Sequence, residues 1–122
     1  MKRTFVDAGV LIAAARGQGS IAERALAILE DPGREFAASR FLQLEVLPKA
    51  TYFTHIVDHW AEDANGLLQS ALTIAIEVGL SAMDALHVAA AAALSCDELV
   101  TTEKPGNPLY RNRSVRVVFL AR

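Results

Sequence analysis

The sequence predicts an α/β domain in which a mostly parallel sheet is covered on both faces by helices. Three observations carry this. Short apolar runs alternate along the chain with segments of helical periodicity, and strands separated by helices pair in parallel. The chain has 122 residues, enough for one domain that buries a core without disulfide or metal staples. Its composition, 52% hydrophobic and 21% charged, excludes a disordered chain. A single domain over residues 1–122 is expected.

The elements follow in order. Thr4-Phe5-Val6 is long enough for a buried strand, and a helical pattern opens after Asp7-Ala8-Gly9 with Val10-Leu11-Ile12. Arg16-Gly17-Gln18-Gly19 is a loop. Ser20, with Glu23 three residues on, forms a capping box for a helix whose apolar stripe is Ile21, Ala25, Ile28 and Leu29. Asp31-Pro32-Gly33 stops it, Glu35 to Ala38 reads as a second strand, and Ser39 is the next N-cap. The helix after Ser39 carries Phe41, Leu42, Glu45, Val46 and Lys49, and Pro48 should kink it or end it early. From Tyr52 to Val78 the pattern is again helical, with a break expected at Asn65-Gly66 and a C-terminal stop at Gly79. Ser81 and Asp84 form another capping box, and an Ala-rich helix runs from there to Leu94. Glu98 to Thr101 and Val115 to Leu120 read as two further strands around a loop with Pro105, Gly106 and Pro108.

Composition narrows the function. Twelve basic and fourteen acidic residues give a net charge of −2, so any nucleic-acid contact must come from local patches. One cysteine, Cys96, excludes a disulfide framework within the chain and fits a reducing compartment. The expected state of Cys96 is buried and inert. Asp7 interrupts the apolar stretch behind Lys2 and Arg3, so no export signal is read there. The most apolar run, Ala85 to Leu94, is far shorter than the roughly 18 residues of a membrane helix. A cytoplasmic protein with no membrane partner is expected.

In parallel sheets ligands bind beyond the carboxyl ends of the strands. Asp7 follows the first strand and Glu103 follows the third by two residues, while Glu45 and Asp84 lie on helices near that edge. Carboxylates gathered in one pocket repel one another. A hard cation such as Mg²⁺ or Mn²⁺, which prefers oxygen ligands, relieves that repulsion. Bound there, it would activate water and neutralise a phosphodiester. Each acid also has a plainer reading. Asp7 fits a cap on the helix starting at Ala8, Glu45 fits an i,i+4 ion pair with Lys49, Asp84 fits the third position of its capping box, and Glu103 fits an ordinary loop charge.

The strings around these acids resemble the four motifs of PIN-domain ribonucleases. They are Thr4 to Ile12, Leu44-Glu45-Val46-Leu47-Pro48-Lys49-Ala50, Gly79 to Ala89 with Ser81-Ala82-Met83-Asp84-Ala85-Leu86-His87, and Glu98 to Glu103. The likeness covers essentially the whole chain and is nearest to the bacterial VapC-type toxins. It implies a PIN-like α/β/α sandwich with a central sheet of four or five strands, and Mg²⁺- or Mn²⁺-dependent endonucleolytic cleavage of single-stranded RNA. On this likeness Asp7 and Asp84 are the main metal ligands and Glu45 completes the pocket, directly or through water. Glu103 stands where the family more often has Asp, and Thr101 or Thr102 bonds a ligand carboxylate or a water. The likeness also implies a homodimer and, for a true toxin, a cognate antitoxin. Ala8 replaces the Thr or Ser that many relatives carry, so a hydroxyl near the metal is missing. A chain weakened by Ala8 and Glu103 would be a non-catalytic PIN-fold binding or dimerisation module, and a DNA-directed nuclease is a third possibility.

From Lys104 onward the chain holds Arg111, Arg113, Arg116 and Arg122 and no acid, a candidate phosphate-binding edge to which Lys49 and Arg16 are added by their sequence positions. Tyr110 is a candidate base-stacking ring. His55 and His59, at i,i+4, are expected as a solvent-facing helix pair, Trp60 as core or interface, and His87 as packing, a helix hydrogen bond, or support to Asp84. The Ala-rich run Ala89 to Ala93 fits either core or a dimer seam.

Overall fold

The apolar run near the N-terminus becomes the middle of a sheet. The computed structural model describes residues 1–46 and 55–120. In it β1 (Lys2–Val6), β2 (Arg34–Ser39), β3 (His59–Ala61), β4 (Glu98–Thr101) and β5 (Val117–Phe119) form one five-stranded sheet in the order β3-β2-β1-β4-β5. Every pairing is parallel. Helices α1 (Ala8–Arg16), α2 (Gly19–Leu29), α3 (Arg40–Val46), α4 (Ala64–Val78) and α5 (Ala82–Ala93) flank it as an α/β/α sandwich. The period-2 alternation of the strands divides the core. Phe5, Ala37 and Leu99 face Leu67, Ala71, Leu86 and Val88 of α4 and α5. Val6, Phe36, Ala38 and Val100 face Val10, Leu11, Ala25, Leu29 and Leu42 of α1, α2 and α3. Ala89, Ala90 and Ala91 are all buried in the first of these layers and let α5 lie close to the sheet, while Ala92 and Ala93 at the end of the Ala-rich run are exposed.

Several sequence expectations change. The stretch read as helical from Tyr52 to Val78 contains β3, and its helix begins only at Ala64. Three residues show no periodicity, and β3 exists through its register on β2, Ala37 beside His59 and Ser39 beside Ala61. Asn65-Gly66 is therefore the first turn of α4 rather than a break, with Asp63 Oδ1 accepting from Gly66 N at 3.1 Å. His59 is on a strand and not on a helix face shared with His55, and its Nε2 lies 3.3 Å from Glu35 Oε2. The capping box at Ser20 does not form. α2 starts one residue earlier, at Gly19, and its N-cap Gln18 makes no side-chain bond. The last strand is shorter than read, Val117–Phe119. Ser39 does cap α3, accepting from Leu42 N at 3.3 Å. Gly79 does stop α4, in the left-handed region at φ 80. Pro48, Lys49 and Tyr52 lie outside the described residues.

One polar cluster had no counterpart in the sequence reading. Glu98 is 3% exposed at the amino end of β4. It accepts from Thr4 Oγ1 at 3.0 Å, pairs closely with Arg34, and lies 3.4 Å from Lys2 Nζ. Parallel register places Thr4 beside Glu98, so these groups meet under one end of the sheet. Cys96 is half-buried rather than fully buried, and burial pushes its thiol up to about 12, which keeps it protonated and unreactive near neutral pH. Among the described residues no single helix is long and apolar enough to cross a membrane.

Candidate functional site

The strand order fixes where a ligand can sit. From β1 the chain winds through β2 and β3 on one side, then returns to β4 and β5 on the other. The carboxyl ends of β1 and β4 therefore border the crevice at the topological switch point. Asp7 follows β1 there, and Thr102 and Glu103 follow Thr101 at the end of β4.

Asp7 is 8% exposed and does two jobs. It caps α1, with Oδ1 accepting from Val10 N at 3.2 Å, and its Oδ2 accepts a close hydrogen bond from Thr101 Oγ1. Thr101 Oγ1 in turn accepts from Glu103 N at 3.0 Å. Burial pushes the Asp7 carboxyl above its usual range, against the opposing pull of Thr101, Val10 and His87, and the charge of Asp84 pushes it further up. The plain capping role and the acidic-pocket role thus fall on one side chain.

Asp84 enters from the first turn of α5, where its backbone N–H meets the Ser81 cap at 3.4 Å. Glu45 lies in the last turn of α3, a third exposed, with Oε1 2.7 Å from Nε2 of His87. Thr101 is thus bonded to Asp7, the charge of Asp84 acts on Asp7, and Glu45 is bonded to His87, one turn beyond Asp84 on α5. Glu103 does not join them by its carboxylate. Its Oε2 accepts from Asn107 Nδ2 at 3.1 Å on the exposed loop, and its carbonyl accepts from the Tyr110 hydroxyl at 2.6 Å. Among the described residues no three His, Cys, Asp or Glu side chains close into a ready metal cage. The donors present still suit a hard cation. The charge of Asp84 acts on Asp7, no Lys or Arg is paired to Asp7 among the described residues, and Mg²⁺ takes one or two carboxylates while keeping several waters.

Gly9 explains how the end of β4 approaches α1. A Cβ there would meet Thr102 Oγ1 at 2.1 Å and Thr102 Cβ at 3.2 Å. Thr102 is therefore part of the wall of this site through contact rather than through a bond to Asp7. Gly9→Ala is expected to cost about 1–3 kcal/mol by overpacking, read as a lower denaturation midpoint.

The basic candidates are spread out. Arg111 lies in a short 3₁₀ turn, Pro108–Arg111, and donates to Val78 O at 3.2 Å, at the corner that leads into α5 and Asp84. Arg113 is exposed beside it, and the two line a cavity of about 440 Å³ with Ile74, Glu77 and Asn112. Lys104 is exposed next to Glu103. Arg16 ends α1 and is thereby carried about 12 Å along the helix from Asp7, away from the pocket. Lys49 lies outside the described residues. Trp60 is half-buried on β3 with the Arg40 guanidinium 4.1 Å over its ring. The sequence reading missed Gly9 and left the partner of His87 open. The available signal for His87 was its position one turn after Asp84. Neither known protein-family models nor characterised proteins give a significant match to this chain.

Proposed function

We propose that the protein is a Mg²⁺- or Mn²⁺-dependent endoribonuclease of the PIN type, cytoplasmic, acting on single-stranded RNA. We further propose that it is the toxin half of a toxin–antitoxin pair, with a cognate antitoxin as partner. The observation that carries the reading is Asp7. It is a buried carboxylate at the switch point, raised in pKa by burial and by Asp84, with no paired Lys or Arg among the described residues. Such a site is unfavourable until a cation enters it. Asp7 and Asp84 would hold the cation, Thr101 fixes the orientation of Asp7, and Glu45 offers its second oxygen directly or through water. Bound there, the cation would supply an activated water and neutralise phosphodiester charge. Lys104, Arg111 and Arg113 are the groups available to hold flanking phosphates. The test is cleavage of single-stranded RNA by pure protein with and without Mn²⁺. Activity is expected to depend on the metal and to vanish in Asp84→Asn. Equal cleavage by wild type and variant would reject the assignment.

A second reading, a non-catalytic binding module, is favoured by one observation: Glu103 is bonded to Asn107 instead of the pocket, and Ala8 supplies no hydroxyl. Calorimetric titration with Mn²⁺ separates the two, since the module needs no saturable site.

The homodimer is also proposed. Leu68, Leu72 and Ile76 are 50%, 64% and 75% exposed at i, i+4, i+8 along α4. Leu68 and Leu72 line an apolar groove of about 200 Å³ against Ala82, Ala85 and Leu86 of α5. α4 carries one charge, Glu77, in fifteen residues. A second copy can therefore face this stripe across a two-fold axis without like-charge repulsion. Leu72→Glu is expected to give a monomer in analytical ultracentrifugation with its melting curve intact.

A further inference from the structure

His87 is 4% exposed, one turn beyond Asp84 on α5. Its ring is seated against Phe5 with centroids 5.6 Å apart. Nε2 lies 2.7 Å from Glu45 Oε1, and Nδ1 is buried with no hydrogen-bond partner among the described residues. A carboxylate oxygen accepts, so Nε2 of this pair donates. The packing against Phe5 and the burial of the ring hold that donor in one place.

Glu45 is in the opposite situation. It is a third exposed, in the last turn of a seven-residue helix. A free glutamate there would sample many rotamers, and ordering it costs up to about 2 kcal/mol. One hydrogen bond from a ring locked in the core removes that freedom. It occupies Oε1 and leaves Oε2 for another partner. Carboxylates that ligate metals are held by neighbours of this kind.

We infer that His87 is a positioning residue: a fixed Nε2–H donor that holds the Glu45 carboxylate at the α3–α5 seam, so that a divalent cation held by Asp7 and Asp84 finds Glu45 already in place. The inference rests on the metal-dependent reading above and adds to it a group that touches neither cation nor RNA.

The test is calorimetric titration of the full chain with Mn²⁺ at neutral pH, with melting curves recorded on the same samples. His87→Phe keeps a ring of similar size and removes the donor. His87→Gln returns a donor nitrogen at similar reach. Mn²⁺ affinity is expected to fall 10- to 100-fold in His87→Phe and largely to recover in His87→Gln. In a Glu45→Gln background His87→Phe should cost little more, because both act through one contact. A merely structural histidine would lower the melting temperature and leave Mn²⁺ affinity alone. Wild-type affinity in His87→Phe, or losses that add in the double variant, would overturn the inference and leave the nuclease reading standing. Absence of saturable Mn²⁺ binding by wild type would overturn that reading itself. Nitrogen-15 NMR of the wild type gives a measure independent of any variant's folding: a protonated Nε2 is expected, and a bare Nε2 would overturn the inference.

Discussion

Asp7→Asn is expected to lose at least about a hundredfold in RNA cleavage, no less than the loss of an outer-shell partner, and to melt higher than wild type in the absence of divalent ions. The two effects have one cause. The folded chain raises the Asp7 carboxyl above 3.8, chiefly by burial. Below 3.8 the acid is protonated in both folded and unfolded chains and costs nothing. As pH rises from there through the raised folded value, the unfolded chain releases its proton first, so stability falls across that window and the full penalty persists at neutral pH. Asparagine removes the charge and retains an oxygen to cap α1 at Val10. Melting curves in EDTA and in Mn²⁺ check this. Without metal the variant should be the more stable protein, and Mn²⁺ should stabilise only the wild type. A variant less stable than wild type in EDTA would show that the Thr101 bond outweighs the buried charge.

The second large effect lies at the opposite end of the same sheet. Glu98→Ala is expected to destabilise the fold by about 3 kcal/mol, the lower end of the range for breaking a buried ion pair. It leaves Arg34, 18% exposed, without its buried partner, and leaves Thr4 Oγ1 without an acceptor. The lower end applies because Arg34 retains Asp31 at 3.0 Å. Urea denaturation should show a lower midpoint at unchanged slope. Since β4 separates this cluster from the pocket, Mn²⁺ affinity should be unaffected. Glu98→Gln, which can still accept from Thr4, should cost less.

Much of the architecture was legible because it is written in local patterns. Apolar runs gave β1, β2 and β4, Gly79 and Ser81 marked the α4–α5 corner, and the rule about carboxyl ends selected Asp7 before any neighbour was visible. β3 was not legible. His59-Trp60-Ala61 has no alternation of its own and owes its conformation to the edge of β2. The cap of α2 was misread because Ser20 and Glu23 match a pattern that the backbone does not use when the helix begins at Gly19. The site divides in the same way. Thr101 on Asp7 follows from strand adjacency, but the Glu45–His87 contact joins residues 42 apart and depends on how α3 lies across α5. The turn of Glu103 toward Asn107 is a side-chain choice within a loop, which no spacing rule reaches. Glu98 was legible only as the start of a strand, because its partners, Lys2 and Arg34, come from two other strands.

Both outermost strands, β3 and β5, are only three residues long. A row so brief offers a passing chain few free amides and carbonyls to zip onto, and on β3 the Arg40 guanidinium lies over the Trp60 ring. Lateral growth into ribbons or fibrils is thereby discouraged from either margin, even though more than half the chain is hydrophobic, 52%.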